Sequence, residues 1–247
     1  MAEIRRVAVV TGGLSGIGRA IAERLDQAGF RVITGSRRGG ALSATITGGR
    51  LDVTAPDSGA AFTDAVLAEH GRIDVLVNAA GIYEEAALIG HSEAMWSRTL
   101  EVNLSGSFRM IRAVFPVMQA QGYGRIINIA SVAAHQGMAG NAAYCASKAG
   151  LLGLGRCTAL EGAAHGITCN SISPTWVETE MLQGFMAADV ARSGRSAAEV
   201  RADYAATNPQ GALVQPGEVA ALAAFLASEE ARALTMADYQ INAGALW

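Results

Sequence analysis

Short runs rich in β-branched residues alternate with long Ala- and Leu-rich stretches throughout this chain, and no other feature constrains its fold as strongly. The short runs are Val7–Val10, Arg31–Thr34, Arg50–Val53, Ile73–Val77, Arg125–Ala130, Ile167–Ile172 and Tyr239–Ile241. Strands covered on both faces read as near-continuous apolar runs, and parallel neighbours need a crossover helix between them. Helical stretches fill the intervals at Gly16–Ala28, Ser58–His70, Ser92–Gln121, Ala143–Ala164 and Pro216–Ser228. Gly29, Gly71, Gly122 and Gly166 fall where helices stop. The pattern predicts one α/β domain over residues 1–247, a doubly wound parallel sheet with helices on both faces. The Gly/Ala/Thr-rich stretch Gly39–Gly49 replaces one crossover helix.

Composition narrows the partners. Half of the residues (51%) are hydrophobic, and 19 basic against 22 acidic side chains give a net charge of −3. That balance fits a globular protein and offers no field to draw nucleic acid or anionic lipid. Lys148, Glu161 and Glu218 interrupt the most apolar regions, so no membrane span is expected. The start lacks a signal-peptide pattern, and the expected location is the cytoplasm. Cys145, Cys157 and Cys169 are odd in number and lack metal-ligand spacing, so free thiols and no metal are expected.

Directly after the first strand comes Thr11-Gly12-Gly13-Leu14-Ser15-Gly16-Ile17-Gly18, which opens a helix. Glycines there let backbone N–H groups approach a pyrophosphate at the positive helix end, as in Rossmann-like folds. Gly12, Leu14, Ser15, Gly16, Ile17 and Gly18 are therefore candidate dinucleotide contacts. An acid at the end of the second strand would bind the ribose of NAD, but Phe30–Leu51 contains none. Ser36, Arg37 and Arg38 stand there instead, and a guanidinium pairs with a 2′-phosphate. NADP(H) is favoured, with NAD(H) as the alternative.

Tyr144 and Lys148 lie four residues apart in a helical stretch and so share one face. Moving a phenol from a pKa of ~10 to 7 requires about 4 kcal/mol. One cation ~5 Å away at an effective dielectric of ~20 supplies about 3 kcal/mol. Carbonyl reduction needs only the neutral phenol as a proton donor, so it is the easier direction. Ser131 follows the fifth strand at the carboxyl edge of the sheet, where ligands bind in such folds. Its hydroxyl is suited to support a substrate carbonyl.

Together these residues resemble the short-chain dehydrogenase/reductase family over essentially the whole chain. The resemblance implies a catalytic tetrad of Asn103, Ser131, Tyr144 and Lys148. In it, Tyr144 is the acid/base, Ser131 orients the carbonyl, Lys148 holds the nicotinamide ribose, and Asn103 supports a water-linked relay. It also implies that Asp52 and Val53 contact adenine, and that Asn78, Ala79, Ala80 and Gly81 steady the central strands beside the cofactor. Pro174, Thr175, Val177 and Thr179 match the nicotinamide-side segment, with Thr175 where the family has glycine. The usual glycine-rich ending becomes Asn242-Ala243-Gly244. A homotetramer packed through Ser92–Gln121 and Ala143–Ala164 is also implied.

Residues 174–215 are too long for an ordinary connection and read as a substrate lid. With the loop after Ser131, the lid suggests a pocket of Ala133, His135, Met138, Asn141, Trp176, Met181 and Phe185 beside Ser131 and Tyr144. Tyr83 and Glu84 are further candidates. Trp176–Thr179 resembles the corresponding stretch of 3-hydroxybutyrate dehydrogenases, but Asn141 and Phe185 stand where their carboxylate clamp has lysine and glutamine. A buried carboxylate would lack a partner, so an uncharged, bulky or aromatic ketone or secondary alcohol is expected. The alternatives are an NAD-dependent dehydrogenase of a hydroxy compound and a dinucleotide sensor without turnover.

Overall fold

A computed structural model describes residues 5–245. Seven parallel strands form one sheet: β1 (Val7–Thr11), β2 (Arg31–Ser36), β3 (Ile46–Arg50), β4 (Val75–Asn78), β5 (Gly124–Ile129), β6 (Ile167–Pro174) and β7 (Asp238–Ile241). Their order is β3-β2-β1-β4-β5-β6-β7. The helices are α1 (Gly16–Gln27), α2 (Ser58–His70), α3 (Glu93–Leu100), α4 (Gly106–Gln121), α5 (Ala142–Gly162), α6 (Glu180–Ser193), α7 (Ala197–Ala206) and α8 (Pro216–Ala227).

Strand pleating sends alternate side chains to opposite faces, and both faces are buried. Ala8 and Val10 pack with Ile21, Leu25, Val219 and Ala223 of α1 and α8. Val7 and Val9 pack on the other face with Phe62, Val66, Met110 and Val114 of α2 and α4. Between β1 and β4 the winding direction reverses, which opens a crevice at the carboxyl ends of the strands.

Three elements differ from the sequence reading. The third strand is Ile46–Arg50, earlier than the expected Arg50–Val53, and it pairs Val32 with Ile46 and Ser36 with Arg50. Its two glycines masked it. A Cβ at Gly48 would lie 2.2 Å from the Gly40 carbonyl oxygen, so close strand-to-loop contact excludes the side chains that usually signal a strand. The expected long helix Ser92–Gln121 is interrupted by a wide turn at Glu101–Ser105, which carries Asn103. Residues 174–215, absent from the expected helical stretches, fold into two helices, α6 and α7. At the chain's end, Ala243 takes a left-handed φ of 47°, a conformation that favours glycine.

Candidate active site

A cavity of about 530 Å³ opens at the carboxyl edge of the sheet. The glycine loop forms one wall, with Gly12, Ser15, Gly16, Ile17 and Gly18 in its lining. Gly12 has φ +68°, and a Cβ there would come within 2.9 Å of Ala80 Cα. At Gly18 a Cβ would lie 2.5 Å from the Gly12 carbonyl oxygen. Glycine is thus required for the loop to fold this tightly under the first turn of α1. Ser15 makes no side-chain cap, so the first N–H groups of α1 stay available to an anion. The exception is Gly16 N, which donates to the Glu180 carboxylate at 3.1 Å. The cradle fits a dinucleotide pyrophosphate.

Ala79, Ala80 and Gly81 also line the cavity, held by the Thr11 hydroxyl, which accepts from Ala79 N and Ala80 N at 3.1 Å each. Asn78 is turned away: its amide donates to Asn128 Oδ1 at 2.9 Å and cross-links β4 to β5. Leu14 also lies outside the lining. Ser36, Arg37, Arg38, Asp52 and Val53 lie beyond this cavity, at the β2–β3 end of the sheet. Arg37 and Arg38 are exposed. Thr54 holds Asp52 through its backbone N–H (3.0 Å) and hydroxyl (2.7 Å). These bonds, aided by nearby Arg37 and Arg50, keep the Asp52 carboxyl below its usual range. Arg50 is a cation that the sequence reading missed, because the strand ending on it was placed four residues late.

Ser131, Tyr144 and Lys148 line one cavity. Ser131 is buried at the end of β5 and accepts from Ala133 N at 3.1 Å. Burial pushes the Tyr144 phenol above its usual pKa, and the Ser131 hydroxyl draws it back. Lys148 is buried, donates to the Ile129 carbonyl oxygen at 2.7 Å, and lies 5.6 Å from the centre of the Tyr144 ring. Burial brings its pKa down to about 8. Asn103 is outside the lining. Its amide donates to Ile82 O at 3.0 Å and to the Ser147 hydroxyl at 3.1 Å, and its oxygen accepts from Ile82 N at 2.8 Å. The wide turn between α3 and α4 positions it for all three.

From the lid segment, Pro174, Thr175, Trp176, Val177, Thr179, Met181 and Phe185 line the cavity, joined by Glu180 and Leu182. Thr175, where the family has glycine, bonds Asn208 Oδ1 through its hydroxyl at 3.1 Å. Ala133 and Met138 line the cavity too, as do Gln136 and Tyr83. Three candidate substrate residues do not, and of these Glu84 pairs instead with Arg98, whose Nε donates to its carboxylate at 2.9 Å. His135 turns to Asp238, with Nε2 2.6 Å from the carboxylate, because a charged partner on β7 is available to it. Asn141 is buried, and its amide donates to Ala139 O at 2.9 Å. Glu180 was missed although it directly follows Thr179; an acid at a helix start reads as a dipole partner, and only the fold brings it to Gly16.

The family model described as enoyl-(acyl carrier protein) reductase matches residues 12–245. The chain belongs to the short-chain dehydrogenase/reductase family. It is 39% identical over 246 residues to the 3-oxoacyl-[acyl-carrier-protein] reductase FabG of Vibrio cholerae serotype O1, covering 97% of this chain and 96% of that protein. It is also 39% identical to the D-threitol dehydrogenase of Mycolicibacterium smegmatis, covering 97% and 92%. Among solved structures, a variant actinorhodin polyketide ketoreductase with NADPH superimposes with a TM-score of 0.92 at 34% identity, covering 99% of each chain. As a family member the chain is an NAD(P)-dependent oxidoreductase acting on CH–OH and C=O groups. Among the described residues no helix is long and apolar enough to cross a membrane, and no His/Cys/Asp/Glu group is placed to hold a metal.

Proposed function

We propose that this chain is an NADP(H)-dependent reductase of an uncharged, bulky or aromatic ketone. The observation that carries this reading is a neutral Tyr144 phenol in a cavity whose described lining holds a single cation, Lys148. That lysine gives one N–H to the Ile129 carbonyl and is committed to the cofactor ribose and Tyr144, and Glu180 adds a negative charge, so a substrate carboxylate has no partner of its own.

Gly12 and Ser15–Gly18 hold the pyrophosphate, and Ala79–Gly81 shape the floor beside it. Ser36, Arg37 and Arg38 take the 2′-phosphate, and Asp52 and Val53 the adenine. Pro174, Thr175, Val177 and Thr179 border the nicotinamide. When bound, the nicotinamide supplies the hydride. Ser131 orients the substrate carbonyl, and Tyr144 gives its proton to the oxygen. Lys148 holds the ribose and lowers the cost of the tyrosinate left behind. Asn103 acts by fixing residue 82 and the Ser147 end of α5. The lid over residues 174–215 excludes water and supplies Trp176, Met181 and Phe185 against the substrate. The reductase relative and the NADPH-bound ketoreductase support the reductive direction and the cofactor. The D-threitol dehydrogenase relative favours a second reading, NAD-dependent oxidation of a hydroxy compound.

Exposed Phe108 on α4 and Leu160 on α5 support assembly as a homotetramer through those helices. The functional test is a steady-state screen of ketones and secondary alcohols with NADPH and NADH. The proposal expects ketone reduction with NADPH; oxidation of hydroxy compounds with NAD alone would overturn it.

A further inference from the structure

One stretch of the cavity wall is aromatic, and at its centre is a residue that the nucleotide and catalytic motifs leave unexplained. Tyr83 follows the Ala79–Gly81 segment, is half-buried and lines the cavity. Its ring centroid lies 5.0 Å from that of Tyr144, edge to face at 68°. The ring of Phe185, from the lid, lies 4.8 Å from that of Tyr83, tilted at 56°. Tyr83 is therefore the bridge between the proton donor and the lid. Trp176, packed edge-on at 5.0 Å against Tyr204, lines the same cavity.

The Tyr83 hydroxyl is turned to Glu85, 3.5 Å from its carboxylate. Burial, with Glu85 nearby, pushes this phenol up to about 12, so it stays neutral with its hydroxyl directed at Glu85. What Tyr83 offers a ligand is its ring. Aromatic pairs prefer edge-to-face or offset contacts and gain attraction beyond the area they bury. A saturated group of equal size gains the area alone.

We infer that Tyr83, backed by Phe185, selects the larger substituent of the substrate and favours a flat aryl or conjugated group over a saturated one of the same size. This rests on the ketone-reductase reading above and names the substrate class of that site. The side chain acts on binding of the substituent, so its effect falls on KM and on inhibition constants.

The test uses the full chain with NADPH and two matched pairs of ligands. Acetophenone and cyclohexyl methyl ketone are the substrates; benzamide and cyclohexanecarboxamide are unreactive competitors that report binding alone. The aryl-to-cyclohexyl ratio in wild type is compared with Tyr83→Phe, Tyr83→Leu and Phe185→Leu, with thermal melting confirming that each is folded. Tyr83→Phe is expected to keep the ratio within about twofold. Tyr83→Leu is expected to lower it by about 3- to 10-fold, the range of a lost aromatic pair. Phe185→Leu moves it the same way by less. A folded Tyr83→Leu protein with the wild-type ratio would overturn the inference. If wild type reduces neither ketone with either cofactor, the ketone-reductase reading itself fails.

Discussion

The ammonium nitrogen of Lys148 donates to the Ile129 carbonyl oxygen at 2.7 Å, tying the middle of α5 to the carboxyl end of β5. Tyr144 lies one turn earlier on α5 and Ser131 two residues beyond Ile129, so this bond sets the spacing of the reacting groups. Burial holds the Lys148 pKa near 8, down from 10.5. For the free enzyme, kcat/KM for reduction is expected to fall as pH rises through about 8, where the cation proposed to support Tyr144 is lost. A profile flat to pH 9.5 counts against this role.

The same shift has a stability consequence. Between pH 8 and 10.5 the unfolded chain keeps a proton on this side chain that the folded chain has released, so stability rises with pH in that window. The shift corresponds to about 3 kcal/mol, the cost of holding the buried charge at neutral pH. Denaturant titrations of wild type and Lys148→Met at pH 7.5 and 10 check the sign. The wild type should gain stability relative to the variant at the higher pH.

Ser131→Ala removes the hydroxyl proposed to orient the substrate carbonyl, which is also the acceptor for Ala133 N. The expected loss in kcat is roughly 10²-fold, in the range of a lost donor to developing charge. Loss of the capping bond should lower stability by only about 1 kcal/mol. Single-turnover kinetics with a thermal melt separates the two effects.

How much of this was legible in the sequence depended on whether side chains or spacing carried the signal. The strands read as Val7–Val10 and Ile167–Ile172 and most of the helices between them announce themselves by apolar patterning, and Gly12–Gly18 by position after a strand. Tyr144 and Lys148 share a face by helical spacing alone. The strand Ile46–Arg50 was hidden because Gly48 and Gly49 carry no side chains to pattern, and Arg50 was lost with it. His135 and Asn141 were drawn to the pocket by sequence proximity to Tyr144. Their actual partners are Asp238, 103 residues away, and the nearby Ala139 carbonyl. Long-range polar pairs leave no local signature, and the Glu180–Gly16 contact is hidden for the same reason.

Arg37→Ala should weaken NADPH binding by about 10-fold and leave NADH nearly unchanged, the size of one lost charge-assisted bond at an exposed site. The difference should shrink with added salt. Arg50→Ala should act in the same direction by less, because its effect is felt through the shared cluster with Asp52 and Arg37. Fluorescence titrations with both cofactors decide; equal losses for NADPH and NADH would place the 2′-phosphate elsewhere.

Glu180 occupies one of the N–H groups that an anion needs at the start of α1. Glu180→Gln removes a negative charge from the pyrophosphate cradle, and NADPH binding should tighten several-fold. Unchanged or weaker affinity, measured by the same titration, would mean that the carboxylate does not compete there.

Proton donation by Tyr144 in concert with hydride transfer is the central claim, and Tyr144→Phe tests it most directly. The ring still packs against Tyr83 while the proton is gone. Single-turnover reduction of a ketone accepted by the wild type should slow by roughly 10³-fold. NADPH affinity should stay within about twofold of wild type. A Tyr144→Phe protein that reduces the ketone as fast as the parent would contradict the account.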